Sequence, residues 1–169
     1  MAVDLQTSFN SISSHFPQKR VVVIGDIMLD EYHWCSVQRI SPEAPVPVCK
    51  VNETTLVPGG AGNVALNVHA LGVQTVLIGV RGDDSSGDKL SGIFQKQGLD
   101  ISQLLITNEK PTILKSRIVA HQQQVVRVDR EQSQPISEEM QNLVLERLAE
   151  QITTVDGIIL SDYLKGTLT

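Results

Sequence analysis

Short apolar segments alternate with segments of helical spacing along this chain, and this alternation constrains the fold more than any other feature. The run Val21–Ile24 is apolar, β-branched and closed by Gly25, which is typical of a central parallel strand buried on both faces. Two further short strands are predicted at 75–79 and 155–160. Residues 1–19 are polar without a clear period, and a frayed start or a short helix is expected there.

Helical spacing fills the intervals between these strands. Residues 61–71 carry apolar side chains on one helical face and end before a glycine, which favours a helix. Another helix is predicted from a cap at Asp83 or Asp84 to Gln97. A third starts from a cap at Ser137. Strands and helices alternating at this spacing predict right-handed βαβ units, so the fold class is α/β, a parallel sheet flanked by helices.

Two stretches interrupt the alternation. Residues 31–53 combine three prolines with short β-favouring pieces, and residues 112–129 indicate a hairpin around a polar turn at His121 and Gln122. Extra antiparallel strands inserted into a parallel α/β domain often form a flap over its ligand site. Ordinary surface hairpins are the alternative interpretation.

The overall composition narrows the class of protein. The net charge is −5 and the pI is near 5.3, which argues against a nucleic-acid binder or a binder of anionic membranes. No apolar run approaches the roughly 18 residues of a membrane span, and the N-terminus does not resemble a signal peptide. A cytoplasmic protein with reduced thiols at Cys35 and Cys49 is therefore predicted.

Carboxylates follow the first strand, at the end where open parallel sheets bind ligands. The segment Gly-Asp-Ile-Met-Leu-Asp places them at Asp26 and Asp30. A carboxylate accepts hydrogen bonds from two sugar hydroxyls at once, so these positions suit polyol binding. The alternative is a turn or capping role, which is common for Asp after a strand.

A glycine-rich segment, Pro58-Gly-Gly-Ala-Gly-Asn63, leads directly into the helix predicted at 61–71. Glycines let the backbone approach a ligand closely, and a helix start offers free N–H groups. The segment lacks the ending of a P-loop and does not match the GxGxxG pattern. Ligand binding and simple helix capping both remain open on composition alone.

Together these segments resemble the ribokinase-like, or phosphofructokinase B, carbohydrate kinases. A finer resemblance, to the heptose-7-phosphate kinases, rests on longer blocks that run from about residue 20 to the end of the chain. These blocks include Gly25-Asp-Ile-Met-Leu-Asp30, Arg39-Ile-Ser-Pro-Glu-Ala-Pro-Val-Pro-Val48, Gln122-Gln-Gln124, Arg127-Val-Asp129 and Leu160-Ser-Asp-Tyr-Leu-Lys-Gly166. The resemblance implies a ribokinase-like parallel sheet with a small β lid, present here as an incomplete domain that spans 1–169.

The resemblance also implies that this chain carries the sugar-binding part of such a kinase. Residues 31–53 and 112–129 correspond to the family's lid, which closes over the sugar and excludes water as a competing phosphoryl acceptor. The substrate-binding residues that it implies are Asp30, Gly59, Gly60, Asn63 and, as a less certain neighbour, Asp26.

A heptose 7-phosphate needs a cationic pocket for the phosphate that it already carries. Lys115 and Arg117 are two residues apart on a predicted strand and so share a face, and Arg127 on the partner strand is expected to join them. Solvated residues at an exposed sheet edge are the alternative. Lys165, after the last strand, is a further candidate for an anionic group, with a plain surface role as its alternative.

The implied reaction transfers the ATP γ-phosphate to a heptose 7-phosphate, giving the 1,7-bisphosphate for ADP-heptose and lipopolysaccharide core synthesis. ATP and Mg²⁺ are the implied cofactors, yet the Gly-Ala-Gly-Asp motif with the general-base Asp and the Asn-x-x-Glu motif tied to Mg²⁺ are absent from these residues. We therefore assign no catalytic residue and no metal ligand. Because phosphoryl transfer needs both positioning and charge stabilisation, the chain alone is expected to be inactive.

The expected partners are a sugar phosphate, the nucleotide-binding C-terminal half of the kinase and a second copy docked through the lid. Without that half, exposed sheet edges and helix faces predict a marginally stable, aggregation-prone or oligomeric chain. Two alternatives remain: a kinase of the same family acting on another sugar or a nucleoside, and a truncated sugar-binding module without catalysis.

Overall fold

The computed structural model describes residues 5–168, which form two four-stranded sheets and four α-helices. The strands are β1 (Arg20–Gly25), β2 (Ile27–Ile40), β3 (Pro47–Gly60), β4 (Gln74–Gly82), β5 (Leu104–Thr107), β6 (Ile113–Ala120), β7 (Gln123–Arg130) and β8 (Gly157–Ser161). The helices are α1 (Leu5–Ser13), α2 (Ala61–Ala70), α3 (Ser85–Lys96) and α4 (Glu138–Ile152). None of the helices within residues 5–168 has the length and apolar character that a bilayer crossing requires.

The first sheet, here called the core sheet, has the strand order β5-β4-β1-β8, and all its neighbouring strands are parallel. The predicted α/β class and the three predicted strands are confirmed. The apolar run at Val21–Ile24 lies in β1, between β4 and β8, as its continuous hydrophobicity predicts. The sequence prediction missed β5, because four residues give too short a pattern to recognise.

Helices cover both faces of the core sheet. On one face, Val23 and Leu77 pack in a cluster with α2 and with Phe94 of α3. On the other face, Val22 and Ile78 pack against α4. Because successive side chains of a strand point to opposite faces, both faces of β1 are apolar and the sheet is buried between two helical layers.

The predicted helix starts are confirmed by their caps. The Asp84 carboxylate accepts a hydrogen bond from the backbone N–H of Gly87 at 2.8 Å, which selects Asp84 over Asp83 as the cap of α3. The Ser137 hydroxyl accepts a hydrogen bond from the backbone N–H of Met140 at 3.3 Å at the start of α4. The residues that begin these two helices could therefore be identified from the sequence.

The second sheet, here called the outer sheet, has the order β3-β2-β6-β7. Strands β2 and β6 are parallel, whereas β3 and β7 pair antiparallel at the two edges. The short pieces expected at 31–53 are instead parts of two 14-residue strands, which begin earlier and end later than the prolines suggest. Pro58 is tolerated within β3 because β3 is an edge strand, where a missing N–H breaks no ladder.

The outer sheet is only half buried. Leu29 of β2 joins the core cluster, with Leu56 and Leu114 of the neighbouring strands packed beside it. The opposite face carries polar and aromatic residues, and every residue of β7 is exposed. The predicted hairpin at 112–129 is present, and its turn residues His121 and Gln122 both have positive φ angles, of 50° and 63°. The outer sheet thus packs against the core by one face and leaves the other face open to solvent.

Candidate functional site

A cleft of about 350 Å³ lies between the first residues of β2, the last residues of β3, the start of α2 and the strand β6. Six of the eight sequence-predicted binding residues line it, although they come from three separate stretches of chain. The residues that line the cleft are Met28, Asp30, Tyr32, Val57, Pro58, Gly59, Gly60, Asn63, Lys115, Arg117 and Tyr163.

A carboxylate and a guanidinium form the polar centre of this cleft. Asp30 Oδ1 accepts a hydrogen bond from Arg117 Nη1 at 2.6 Å, and the two side chains are only 18% and 17% exposed. Arg117 also lies over the ring of Tyr32, with Cζ 5.1 Å from the ring centroid. Burial acts to lower the pKa of Arg117, but the hydrogen bond and charge of Asp30 outweigh it and the pKa is raised. Arg117 is therefore a permanent cation in the site.

The glycines make room for this carboxylate. A Cβ on Gly59 would lie 2.6 Å from Asp30 Oδ2, and a Cβ on Gly60 would overlap the carbonyl oxygen of Asp26. Gly60 also has a φ of 57°, which L-residues with side chains seldom adopt. The expected glycine-rich loop is in fact a direct junction, because β3 ends at Gly60 and α2 begins at Ala61. Both glycines are needed for the close approach of two strands at the cleft floor.

Asp26 lies beneath the cleft and not in it. Its side chain is fully buried and accepts three backbone hydrogen bonds, from Tyr163 at 2.9 Å and from Lys165 and Thr167 at 3.0 Å each. These bonds tie the segment after β8 to the end of β1 and place Tyr163 at the cleft wall. Both carboxylate oxygens of Asp26 thus accept hydrogen bonds from the backbone of the segment after β8, which agrees with the turn role that was the alternative interpretation.

The three predicted phosphate-binding cations separate into two groups. Lys115 lines the cleft beside Arg117, and its Nζ lies 3.8 Å from a carboxylate oxygen of Asp129. Arg127 faces Arg117 across the β6–β7 pair, but its side chain is 46% exposed and its Nε donates to Asp129 at 2.8 Å. The structure therefore does not bring Arg127 into the cleft, because Arg127 lies on the edge strand β7, where it shares the Asp129 carboxylate with Lys115.

Glu131 joins this charged region and was not predicted. It follows β7 directly, and its Oε1 accepts a hydrogen bond from Lys165 Nζ at 2.6 Å. Its Oε2 lies 3.7 Å from Lys115 Nζ. A single Glu after a strand carries no sequence signal, since its importance depends on two lysines that are 16 residues upstream and 34 residues downstream of it.

Two aromatic side chains of β2 lie at or near the cleft. Tyr32 lines the cleft and stacks on Trp34 at a centroid distance of 6.0 Å, while the Trp34 indole donates to Thr55 at 3.0 Å. Within residues 5–168, no three His, Cys, Asp or Glu side chains are grouped so that they would hold a metal ion. We assign none of the described residues to Mg²⁺.

Comparison with known proteins places this geometry in a family context. The profile of the pfkB family carbohydrate kinases matches residues 18–169. A curated relative, the bifunctional protein HldE of Helicobacter pylori strain J99, is 44% identical over 150 residues, which is 89% of this chain and 32% of the relative. The chain thus spans about a third of the length of the curated relative it matches.

Solved structures share the fold at low sequence identity. A carbohydrate kinase from Agrobacterium tumefaciens superposes with a TM-score of 0.62 at 17% identity, covering 84% of this chain and 45% of that one. The ribokinase of Arabidopsis thaliana, solved with ribose and ATP, gives a TM-score of 0.55 at 17% identity, covering 74% and 42%. These matches confirm the ribokinase-like fold predicted from the sequence.

Proposed function

Because this chain belongs to the pfkB family of carbohydrate kinases, we propose that its cleft binds the sugar that receives a phosphoryl group from ATP. The sugar that we propose is a heptose 7-phosphate, on the resemblance of the sequence blocks to heptose-7-phosphate kinases. The product would then be the 1,7-bisphosphate used for ADP-heptose and lipopolysaccharide core synthesis. The outer sheet is in this proposal the lid over the sugar.

One observation carries the proposal: Asp30, Lys115 and Arg117 line a single cleft with the Gly59–Gly60 backbone. A sugar phosphate presents hydroxyl donors at one end and a dianion at the other. The Asp30 carboxylate accepts from hydroxyls, and Oδ2 makes no hydrogen bond within the described residues. Lys115 and Arg117 supply the opposite charge, with the planar guanidinium suited to two phosphate oxygens. The cleft therefore offers both a hydrogen-bond acceptor for hydroxyls and cations for a phosphate.

We propose the cofactors of the reaction from the membership of the chain in the pfkB family. ATP is the phosphoryl donor that we propose, and the related Arabidopsis ribokinase was solved with ribose and ATP. When bound, Mg²⁺ and ATP supply the transferred group and neutralise its charge. The residues of this chain bind and orient the sugar and exclude water from it, while the general base is proposed to lie in a longer polypeptide that contains this chain.

Calorimetric titration of heptose 7-phosphate into the chain tests the site. We expect Asp30→Ala to weaken binding by about tenfold to hundredfold, since a hydrogen bond to a charged group contributes roughly 1.5–3 kcal/mol. Arg117→Ala should weaken binding of the sugar phosphate more than binding of the unphosphorylated heptose. Arg127→Ala is the matched control, because it removes the same charge one strand away, outside the cleft, and should change affinity little.

The substrate assignment is tested separately from the site. A polypeptide that contains this chain and has kinase activity should turn over heptose 7-phosphate faster than ribose or fructose 6-phosphate. Faster turnover of a neutral sugar would contradict the substrate and leave the cleft assignment standing. Unchanged affinity in both Asp30→Ala and Arg117→Ala would contradict the cleft assignment itself.

A further inference from the structure

Glu131 links the two parts of the molecule that enclose the cleft. Its carboxylate lies between Lys165, in the segment after β8 of the core sheet, and Lys115 on β6 of the outer sheet. The bond to Lys165 is short, at 2.6 Å, whereas the approach to Lys115 is 3.7 Å and lies outside hydrogen-bond range. One carboxylate is thus shared unequally by two lysines.

The three side chains are shielded from solvent. Lys115, Lys165 and Glu131 are only 14%, 19% and 20% exposed, so their charges interact more strongly than at an open surface. The hydrogen bond from Lys165 lowers the pKa of Glu131, against the opposing effect of burial. Glu131 Oε2 is buried and has no hydrogen-bond partner among the described residues. The carboxylate is therefore charged and only half satisfied.

Lys115 is correspondingly under-bonded. Its two carboxylate neighbours, Asp129 and Glu131, lie at 3.8 and 3.7 Å, and within residues 5–168 its ammonium makes no hydrogen bond. Lys115 is also one of the residues that line the cleft, beside Arg117. The three N–H donors of Lys115 are therefore available to an anion that enters the cleft. That anion must outcompete the carboxylates of Asp129 and Glu131 for the lysine.

We propose that Glu131 competes with the anionic group of the ligand for Lys115. When a phosphate binds in the cleft, it displaces the Glu131 carboxylate from Lys115. This inference rests on the proposed function, since it takes the ligand to be a sugar phosphate. A phosphate near neutral pH carries a charge of about −1.5 to −2 and three acceptor oxygens, against one charge on Glu131. Glu131 thereby weakens the binding of a phosphate to Lys115, because the phosphate must outcompete a neighbouring negative charge, and it leaves the binding of an uncharged sugar unaffected.

Titration of inorganic phosphate into the 169-residue chain tests this role. We expect Glu131→Gln to bind phosphate about tenfold more tightly than the wild-type chain, because a competing charge a few ångströms away is removed. Glu131→Ala should shift in the same direction. The matched control is Glu146→Gln, which makes the same change in net charge at an exposed position on α4 and should leave the affinity within about twofold.

Two further measurements separate competition from structural damage. Affinity for an unphosphorylated heptose should be the same in Glu131→Gln and wild type, whereas a damaged cleft would weaken both ligands. In the wild-type chain, the ¹³C signal of the Glu131 carboxylate should shift as phosphate saturates the cleft. An unmoved Glu131 signal at saturation, or equal or weaker phosphate binding in Glu131→Gln, would overturn the inference.

The outcomes also distinguish this inference from the function on which it rests. If the wild-type chain binds phosphate but Glu131→Gln binds it no more tightly, only the competitor role of Glu131 fails. If neither chain binds phosphate, the phosphate pocket of the proposed function fails, and the competitor role fails with it.

Discussion

The core sheet and the outer sheet are built from the same number of strands but are stabilised in different ways. In β1 of the core sheet, Val22 and Val23 are both fully buried, one on each face. In β7 of the outer sheet, all eight residues are exposed and ion pairs such as Arg127–Asp129 lie along the strand. Apolar burial therefore dictates the fold of the first sheet, while the second is free to carry charge at the cleft.

The carboxylates of Asp26 and Asp30, four residues apart, show the same difference between the two sheets. Asp26 stands at the end of the core sheet, fully buried, with three backbone N–H donors on its oxygens. Asp30 stands in the outer sheet, lines the cleft and pairs with Arg117. The same residue type thus serves the fold in one sheet and, in the function that we propose, ligand binding in the other, and the sequence motif alone does not distinguish them.

The largest expected effect separates these two carboxylates. Asp26→Ala should lower the free energy of unfolding by about 3–5 kcal/mol, because it leaves three buried or partly buried backbone donors without an acceptor. Asp30→Ala removes one charged hydrogen bond, between side chains that are less than a fifth exposed, and should cost less, about 1.5–3 kcal/mol. Urea unfolding followed by circular dichroism measures both. Equal losses of stability in the two variants would mean that the two carboxylates do not divide their roles in this way.

The sequence predicts the core sheet well and the outer sheet less well. Burial on both faces gives Val21–Ile24 an unmistakable pattern, and the caps at Asp84 and Ser137 locate two helix starts. The strands of the outer sheet lack a continuous apolar run, because they are buried on one face only. The start of β2 also lies within the Gly-Asp-Ile-Met-Leu-Asp segment, which was interpreted as a binding motif. The prolines of β3 also argued against a strand in the sequence, although an edge strand tolerates proline.

The residues of the candidate site were also predicted only in part. Asp30, Lys115 and Arg117 were predicted because strand periodicity and family resemblance place them, and the structure brings them to one cleft. Arg127 was placed by strand pairing alone, which does not show which way a long side chain extends. Glu131 could not be predicted, since its partners come from β6 and from beyond β8, and only the tertiary fold brings them together.

A smaller effect is expected from one matched pair of valines. Val23→Ala in the core sheet should lower the free energy of unfolding by about 2–3 kcal/mol, from lost apolar burial and the cavity that remains. Val128→Ala in the outer sheet, where the residue is 58% exposed, should change it by less than about 0.5 kcal/mol. Thermal or urea unfolding of the two variants measures the contrast. A loss at Val128 as large as that at Val23 would show that this face of β7 is covered in solution.

The smallest expected effect concerns Asp84, which joins the two sheets. Its carboxylate caps α3 through Gly87 and also accepts a hydrogen bond from the backbone N–H of Thr112, at the root of β6, at 2.8 Å. Burial acts to raise the pKa of Asp84, but these backbone hydrogen bonds outweigh it and the pKa is lowered below 3.8. The unfolded chain therefore takes up this proton at a higher pH than the folded chain does.

It follows that Asp84 stabilises the fold above pH 3.8, its ordinary pKa, and loses that contribution as the pH falls through its lower folded pKa. Asp84→Asn should cost about 1 kcal/mol at neutral pH, because an amide nitrogen would face the Thr112 N–H, and its unfolding free energy should fall less steeply on acidification. Asp83→Asn, at an exposed neighbouring position, is the control and should follow the wild-type pH profile. Parallel acid profiles for wild type and Asp84→Asn would show that the junction between the sheets does not depend on this charge.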